Sequence, residues 1–124
     1  MTTLAGRRIL VAEDESLIAL QVEELLQELG CEVVGPASRL SEVKAAIETE
    51  KLDGAVLDVN LRGEPVLLAL PRLTQLGVPF IITSGYDAAS LFPPEFRKVP
   101  RVAKPFDESE LSRLCVAMFA RPSG

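Results

Sequence analysis

The sequence predicts a doubly wound α/β fold, in which helices cover both faces of a five-stranded parallel sheet. Two observations favour this class. Five short, nearly continuous apolar runs, typical of strands buried on both faces, alternate with segments whose apolar residues recur at helical spacing. The 124 residues, 48% hydrophobic and 25% charged, also fit one domain with a substantial core. We therefore expect a single domain over residues 1–124, with parallel strands joined by right-handed crossovers.

The first half of the chain alternates strands and helices after a loose tail at residues 1–6. Helix one has an apolar stripe and a glycine, Gly30, at its C-terminal cap position. Strand two is predicted to stop at the turn signal Gly35-Pro36. The predicted elements are strand one at 7–12, helix one at 15–29, strand two at 32–35, helix two from Leu40 to about residue 50, and strand three at 53–58.

The second half is less regular because it is rich in proline. After a loop at 60–63, a third helix should open near Glu64, and Pro71 predicts a kink or a late start in it. Strand four is predicted at 80–83, a short or irregular fourth helix within 87–100, strand five at 99–103, a final helix at 107–120 capped by Asp107 and Glu110, and a second loose tail at 121–124.

Composition excludes several classes of function. The net charge of −5 argues against a nucleic-acid partner, and no apolar run is long enough to span a membrane, so we expect a cytoplasmic protein. The absence of histidine excludes His-based metal sites and Ser-His or Cys-His nucleophiles. The two cysteines, Cys31 and Cys115, fall in apolar patterns and are predicted to be buried thiols.

Polar residues stand at the predicted strand ends. The carboxyl ends of parallel strands share one edge of the sheet, so these residues should converge there. They are Glu13, Asp14, Asp58, Ser84 and Lys104. Three crowded carboxylates need a cation, and oxygen ligands suit Mg²⁺ or Mn²⁺. A carboxylate flanked by such a cation, a lysine and a hydroxyl can act as a nucleophile toward a phosphoryl donor.

In their order along the chain, these residues resemble the receiver domain of a response regulator of two-component signalling, a flavodoxin-like fold. The matching motifs are residues 9–15, 55–61 and 103–106, Ile-Leu-Val-Ala-Glu-Asp-Glu, Ala-Val-Leu-Asp-Val-Asn-Leu and Ala-Lys-Pro-Phe. The resemblance implies Mg²⁺ bound by Glu13, Asp14, Asp58 and the carbonyl of Asn60, phosphoryl oxygens bound by Ser84 and Lys104, and a cis peptide between Lys104 and Pro105.

Two segments bear on the switch that such domains carry. Residues 80–86, Phe-Ile-Ile-Thr-Ser-Gly-Tyr, are similar to the Phe-Ala-Thr-Gly-Tyr segment of a group of alphaproteobacterial stand-alone receivers. That alignment gives the switch hydroxyl to Ser84, although Thr83 stands beside it. Arg101 stands where most receivers carry an aromatic residue, and an always-charged guanidinium cannot be buried in the same way. We therefore expect the segment 87–100 to change conformation instead.

The leading hypothesis is a stand-alone receiver without an output domain. It would accept a phosphoryl group on Asp58 from a sensor histidine kinase or a histidine phosphotransfer protein, and would catalyse only its own phosphorylation and dephosphorylation. Its output would be a phosphate sink, a relay, or phosphorylation-dependent contact with a downstream protein target. Two alternatives stay open: a Mg²⁺-dependent phosphohydrolase with Asp58 as nucleophile, although Asn60 replaces the usual second aspartate, and a receiver-like scaffold that works without phosphorylation.

Overall fold

The computed structural model describes residues 4–84, 99–104 and 106–120 and has the predicted parallel sheet. The five parallel strands are β1 (Arg8–Ala12), β2 (Glu32–Ala37), β3 (Gly54–Asp58), β6 (Phe80–Ser84) and β7 (Arg101–Ala103). The described helices are α1 (Ser16–Glu28), α2 (Leu40–Thr49), α3 (Leu70–Gln75) and α4 (Glu108–Phe119). The strand order β2-β1-β3-β6-β7 is that of a flavodoxin-like doubly wound fold, which confirms the predicted class.

Alternate residues of the central strands feed two separate cores. In β3, Ala55 and Leu57 belong to the core that also contains residues of α2 and α3. Val56 belongs to the opposite core, which contains residues of α1 and α4. Because side chains of a strand alternate between the faces of a sheet, the continuously apolar runs in the sequence serve both cores.

Strand β2 continues through the predicted turn at Gly35-Pro36 and ends at Ala37, so the predicted end at residue 35 is wrong. Its register against β1 shifts between the Leu10 and Ala12 pairs, which marks a bulge. Proline is tolerated in edge strands and bulges, where no ladder hydrogen bond is lost. Since β2 lies at the edge of the sheet, a local turn signal did not end the strand.

The segment after β3 differs most from the prediction. The predicted start of the third helix near Glu64 is wrong. Glu64–Pro65 instead form a two-residue strand, β5, that pairs antiparallel with β4 (Asn60–Leu61). A 3₁₀ turn at Val66–Ala69 follows. Helix α3 begins only at Leu70, with Pro71 in its first turn, so the predicted late start is confirmed.

The N-terminal residues of the described chain contact the rest of the fold, and the last helix is capped at its start. Leu4 is fully buried and the N–H of Gly6 donates to the carbonyl of Gly30, so the chain is attached to the domain at these two residues, within the tail predicted to be loose over 1–6. The prediction failed there because one buried leucine gives no periodic pattern. At the other end, Asp107 caps α4 by accepting from the N–H of Ser109.

Several predicted features lie outside the described residues. They are the tail at 1–3, the fourth helix and Tyr86 within 85–98, the peptide to Pro105 and the tail at 121–124.

Cys31 and Cys115 are buried free thiols, as predicted. Burial raises the pKa of Cys31 to about 11 and that of Cys115 to about 12.

Within the described residues, no helix has both the length and the apolar character needed to cross a membrane.

Candidate functional site

The predicted site residues gather at the edge formed by the strand ends. Glu13 and Asp14 follow β1, Asp58 is the last residue of β3, and Ser84 and Lys104 lie at the ends of β6 and β7. Because β1 and β3 are neighbours but their following connections leave in opposite directions, their ends form the switch point at which such sheets bind ligands.

Three of the predicted carboxylates form a compact cluster. Glu13, Asp14 and Asp58 each offer an oxygen within 4.8 Å of the others. Glu13 and Asp58 are only 5% and 7% exposed, whereas Asp14 is half-buried. Mutual repulsion in so small a space raises the pKa of the carboxyl groups and favours a positive charge among them.

Lys104 supplies positive charge to this cluster. Its Nζ atom donates to Oε1 of Glu13 at 2.5 Å and to Oδ2 of Asp58 at 3.0 Å. The backbone fixes this position, since the N–H of Lys104 donates to the carbonyl of Ser84 at 2.7 Å and so continues the pairing of β6 and β7. One ammonium therefore binds two carboxylates that stand at the ends of different strands.

The pKa values of Glu13 and Lys104 are both raised. Burial raises the pKa of Glu13 to about 7, against the opposing effect of its hydrogen bonds from Lys104 and from the N–H of Glu15. For Lys104, burial acts to lower the pKa, but the hydrogen bonds to Glu13 and Asp58 outweigh it and leave the pKa raised. Lys104 is thus charged at neutral pH, while Glu13 is poised to exchange a proton.

Three further oxygens of the cluster accept backbone N–H groups. Asp58 Oδ1 accepts from Asn60 at 3.3 Å, Glu13 Oε2 accepts from Glu15 at 3.1 Å, and Asp14 Oδ2 accepts from Arg62 at 2.9 Å. The contact from Arg62 was not predicted from the sequence. The sequence does contain a signal for the turn that makes this contact. It is the Arg62-Gly63 pair between Leu61 and Glu64, because two-residue hairpin turns favour glycine at the second central position.

Asn60 has a structural role that the sequence did not reveal. Its side-chain Oδ1 accepts from the N–H of Gly63 at 2.7 Å and so closes the turn between β4 and β5. A contribution of Asn60 to a metal site would therefore come from its backbone carbonyl, the atom that the resemblance implies.

The two candidate switch hydroxyls are both buried. Thr83 and Ser84 are 2% and 6% exposed, and Thr83 pairs in register with Asp58 while Ser84 lies one residue closer to the strand tip. Arg101 is half-buried in the edge strand β7, in register with Ile82. The conformational change was predicted for residues 87–100. Of these, residues 87–98 lie outside the described part of the chain.

The donor set fits a hard divalent cation. Three clustered carboxylates, with a backbone carbonyl close by in sequence, supply only oxygen ligands, the kind that Mg²⁺ prefers. Their combined negative charge exceeds the single positive charge of Lys104, so a cation would lower the electrostatic free energy of the cluster.

Comparison with known proteins gives a consistent result. Residues 9–115 match the protein family described as the response regulator receiver domain. Among curated proteins, the chain is 30% identical over 108 residues to the transcriptional regulatory protein PdtaR of Mycobacterium tuberculosis, covering 85% of this chain and 53% of PdtaR. It is 34% identical over 107 residues to the phyllosphere-induced regulator PhyR of Methylorubrum extorquens, covering 84% of this chain and 40% of PhyR. The chain thus spans about half the length of these relatives or less.

Among solved structures, SdrG from Sphingomonas melonis matches over nearly its full length. The TM-score is 0.79 at 33% identity, and the match covers 94% of this chain and 98% of SdrG.

Proposed function

The chain belongs to the response regulator receiver domain family, and on that premise we propose that Asp58 accepts a phosphoryl group in a Mg²⁺-dependent reaction. Receiver domains are signalling modules that interact with kinases or phosphotransfer proteins. The donor we propose is accordingly the phosphohistidine of a sensor histidine kinase or of a histidine phosphotransfer protein.

The observation that carries this proposal is the position of Lys104 against Asp58. A buried carboxylate ends the central strand β3, with an ammonium 3.0 Å from one of its oxygens and two further carboxylates beside it. An aspartate with only a structural role at a strand end would gain nothing from two neighbouring carboxylates. Among the described residues, one lysine is the only cation that pairs with this cluster.

The proposed reaction uses the ionised carboxylate directly. An oxygen of Asp58 attacks phosphorus, the O–P bond forms as the P–N bond to the donor imidazole breaks, and the leaving nitrogen keeps its bonding pair and takes up a proton. The product is an acyl phosphate on Asp58. No general base is required, since the nucleophile is already deprotonated, and this agrees with a sequence that lacks histidine.

The residues around Asp58 would then stabilise charge on the transferred group. Lys104 would move its ammonium from Asp58 to a phosphoryl oxygen, and Ser84 would donate its hydroxyl hydrogen to another. Glu13, Asp14, Asp58 and the backbone carbonyl of Asn60 would hold Mg²⁺. When bound, this ion supplies neutralisation of the developing charge on the phosphoryl oxygens.

The output of the domain is part of the proposal too. The phosphorylated chain would act by contact with a downstream protein, by relay to a phosphotransfer protein, or as a phosphate sink. In each case its catalysis is confined to its own phosphorylation and dephosphorylation.

Two donors of different chemistry test this function. Phosphoramidate carries a P–N bond, as phosphohistidine does, and p-nitrophenyl phosphate is a phosphomonoester. We expect the protein to retain about one phosphoryl group from phosphoramidate when Mg²⁺ is present, and to release nitrophenol from the ester no faster than the Asp58→Asn control. Sustained turnover of the ester would favour the phosphohydrolase instead. Failure to retain phosphoryl groups from either donor would favour the scaffold.

A further inference from the structure

The strongest unassigned feature is the tight hairpin that follows Asp58. Its two central residues, Arg62 and Gly63, have φ of 52° and 86°, and Asn60–Leu61 pair antiparallel with Glu64–Pro65. These values match a type I′ turn, which requires the left-handed region at both central positions. Arg62 is the only residue other than glycine with positive φ in the described part of the chain. The fold therefore holds Arg62 in a left-handed backbone conformation that residues other than glycine rarely adopt.

The strained residue makes the hairpin's contact with the acidic cluster. Its backbone N–H donates to Oδ2 of Asp14 at 2.9 Å, across 48 residues of sequence. The side chain of Arg62 is exposed, so the amide rather than the guanidinium makes the described contact. The positive φ of Arg62 sets the direction of this N–H. With φ in the usual negative range, the N–H would point in another direction.

The hairpin is anchored on three sides, so the amide has a fixed position. Leu61 is fully buried in the core between the sheet and helices α2 and α3. The N–H of Val66 donates to the carbonyl of Val59 at 2.9 Å, and Oε1 of Glu64 accepts from the N–H of Leu40 at the start of α2. Asn60 closes the turn through Gly63.

From this geometry we infer that the backbone amide of Arg62 is a positioning group for Asp14. By binding Oδ2, it fixes the orientation of a carboxylate that belongs to the acidic cluster and would bind a divalent cation. The left-handed turn at Arg62 thereby sets the Mg²⁺ affinity of the site. This inference rests on the proposed function, because it assigns a role in the metal site that the function requires.

Substitutions at residue 62 can separate backbone from side-chain effects. Arg62→Gly and Arg62→Val remove the same charge and keep the N–H, but glycine favours positive φ and a β-branched residue resists it. Arg62→Pro removes the N–H altogether. Titration calorimetry with MgCl₂ on the full chain gives the affinity of each variant. Phosphorylation by phosphoramidate at saturating Mg²⁺ gives a rate that does not depend on affinity.

We expect Arg62→Gly to bind Mg²⁺ at least as tightly as the wild type. Arg62→Val should bind about five- to thirtyfold more weakly than Arg62→Gly, in line with a cost of about 1–2 kcal/mol for the left-handed region. Arg62→Pro should be at least as weak as Arg62→Val. At saturating Mg²⁺ the Val and Gly variants should be phosphorylated at similar rates, since only the occupancy of the metal site has changed.

Two results would overturn the inference. One is equal Mg²⁺ affinity of the Gly and Val variants. The other is a lower rate for Arg62→Val than for Arg62→Gly at saturating Mg²⁺, which would indicate general damage to the hairpin rather than a change in metal occupancy.

The two proposals fail in different ways. If the affinities follow the predicted order but the wild type retains no phosphoryl group, the proposed function fails and the positioning role stands. If the wild type is phosphorylated but the affinities do not differ, only the positioning role fails.

Discussion

The Nζ atom of Lys104 lies 2.5 Å from Oε1 of Glu13, in a site where the two side chains are 12% and 3% exposed. The same ammonium contacts Asp58, so the lysine that is proposed to engage a phosphoryl group also partly neutralises the acidic cluster. A divalent cation bound there would stabilise the same negative charge as Lys104.

Replacing Lys104 by methionine should destabilise the metal-free protein and make it more responsive to Mg²⁺. The substitution keeps an apolar stem but leaves the buried carboxylates without their cation, at a cost of about 3–5 kcal/mol. Mg²⁺ should bind more tightly without the competing ammonium and should raise the Tm of the variant by more than that of the wild type. Thermal unfolding with and without MgCl₂ measures both effects. Equal Mg²⁺-induced shifts would show that the lysine and the ion do not share a site, and Lys51→Met, at an exposed position, is the control.

The affinity for Mg²⁺ should fall as the pH falls through about 7. Burial raises the pKa of Glu13 to about 7, so below that pH the ion must displace a proton from this carboxyl. Calorimetric titrations between pH 6 and pH 8 should show the apparent affinity falling as the pH is lowered. The slope should approach a limit of about tenfold per pH unit.

The same pKa has a consequence for the stability of the metal-free protein. The folded pKa lies above the unfolded value of 4.5, so the folded state binds the proton more tightly. The stabilisation from Glu13 is fully present below about pH 4.5 and is lost as the pH rises through about 7. Glu13→Gln, which cannot titrate, should flatten both pH dependences. An unchanged pH dependence of Mg²⁺ binding in that variant would assign the effect to another group.

Single substitutions should identify the switch hydroxyl. Ser84→Ala should slow phosphorylation of Asp58 by about ten- to a hundredfold, because a hydrogen bond to the charged transition state contributes about 1.5–3 kcal/mol. Thr83→Val, which is similar in shape, should leave the rate nearly unchanged. The measurement is the rate of acyl phosphate formation from phosphoramidate at saturating Mg²⁺. The opposite ranking would transfer the role to Thr83, which pairs in register with Asp58.

Gly54→Ala should destabilise the fold, since β3 and α4 approach closely there. A Cβ at Gly54 would lie 2.4 Å and 2.6 Å from ring atoms of Phe119, which is fully buried and cannot swing away. We expect a loss of about 1–3 kcal/mol in the free energy of unfolding, measured with urea. Combined with Phe119→Leu, the loss should be smaller than the sum of the two single losses, because the smaller side chain makes room. Additive losses would place the strain elsewhere.

Sequence reasoning succeeded where local pattern and chain topology agree. Strand ends in a parallel sheet share one edge, so Glu13, Asp58 and Lys104 could be placed together from their positions after apolar runs, although they lie up to 91 residues apart. Helices α1 and α4 were predicted because their apolar stripes are long and regular.

The failures arose where tertiary contacts override local signals. Gly35-Pro36 is a turn signal, but the sheet edge accommodates it within β2. Arg62 has no intrinsic preference for a left-handed turn, and the turn forms because Leu61, Asn60 and Asp14 hold its surroundings. Such contacts join residues far apart in sequence and leave no periodic trace.

The most direct test of phosphoryl transfer to Asp58 is the intact mass of the protein after incubation with phosphoramidate, with and without Mg²⁺, for the wild type and Asp58→Asn. We expect a single phosphoryl adduct on the wild type that requires Mg²⁺ and that is absent from the variant, which preserves the size of the side chain but removes the nucleophile. An adduct of equal yield on Asp58→Asn, or none on the wild type under any condition, would contradict this expectation.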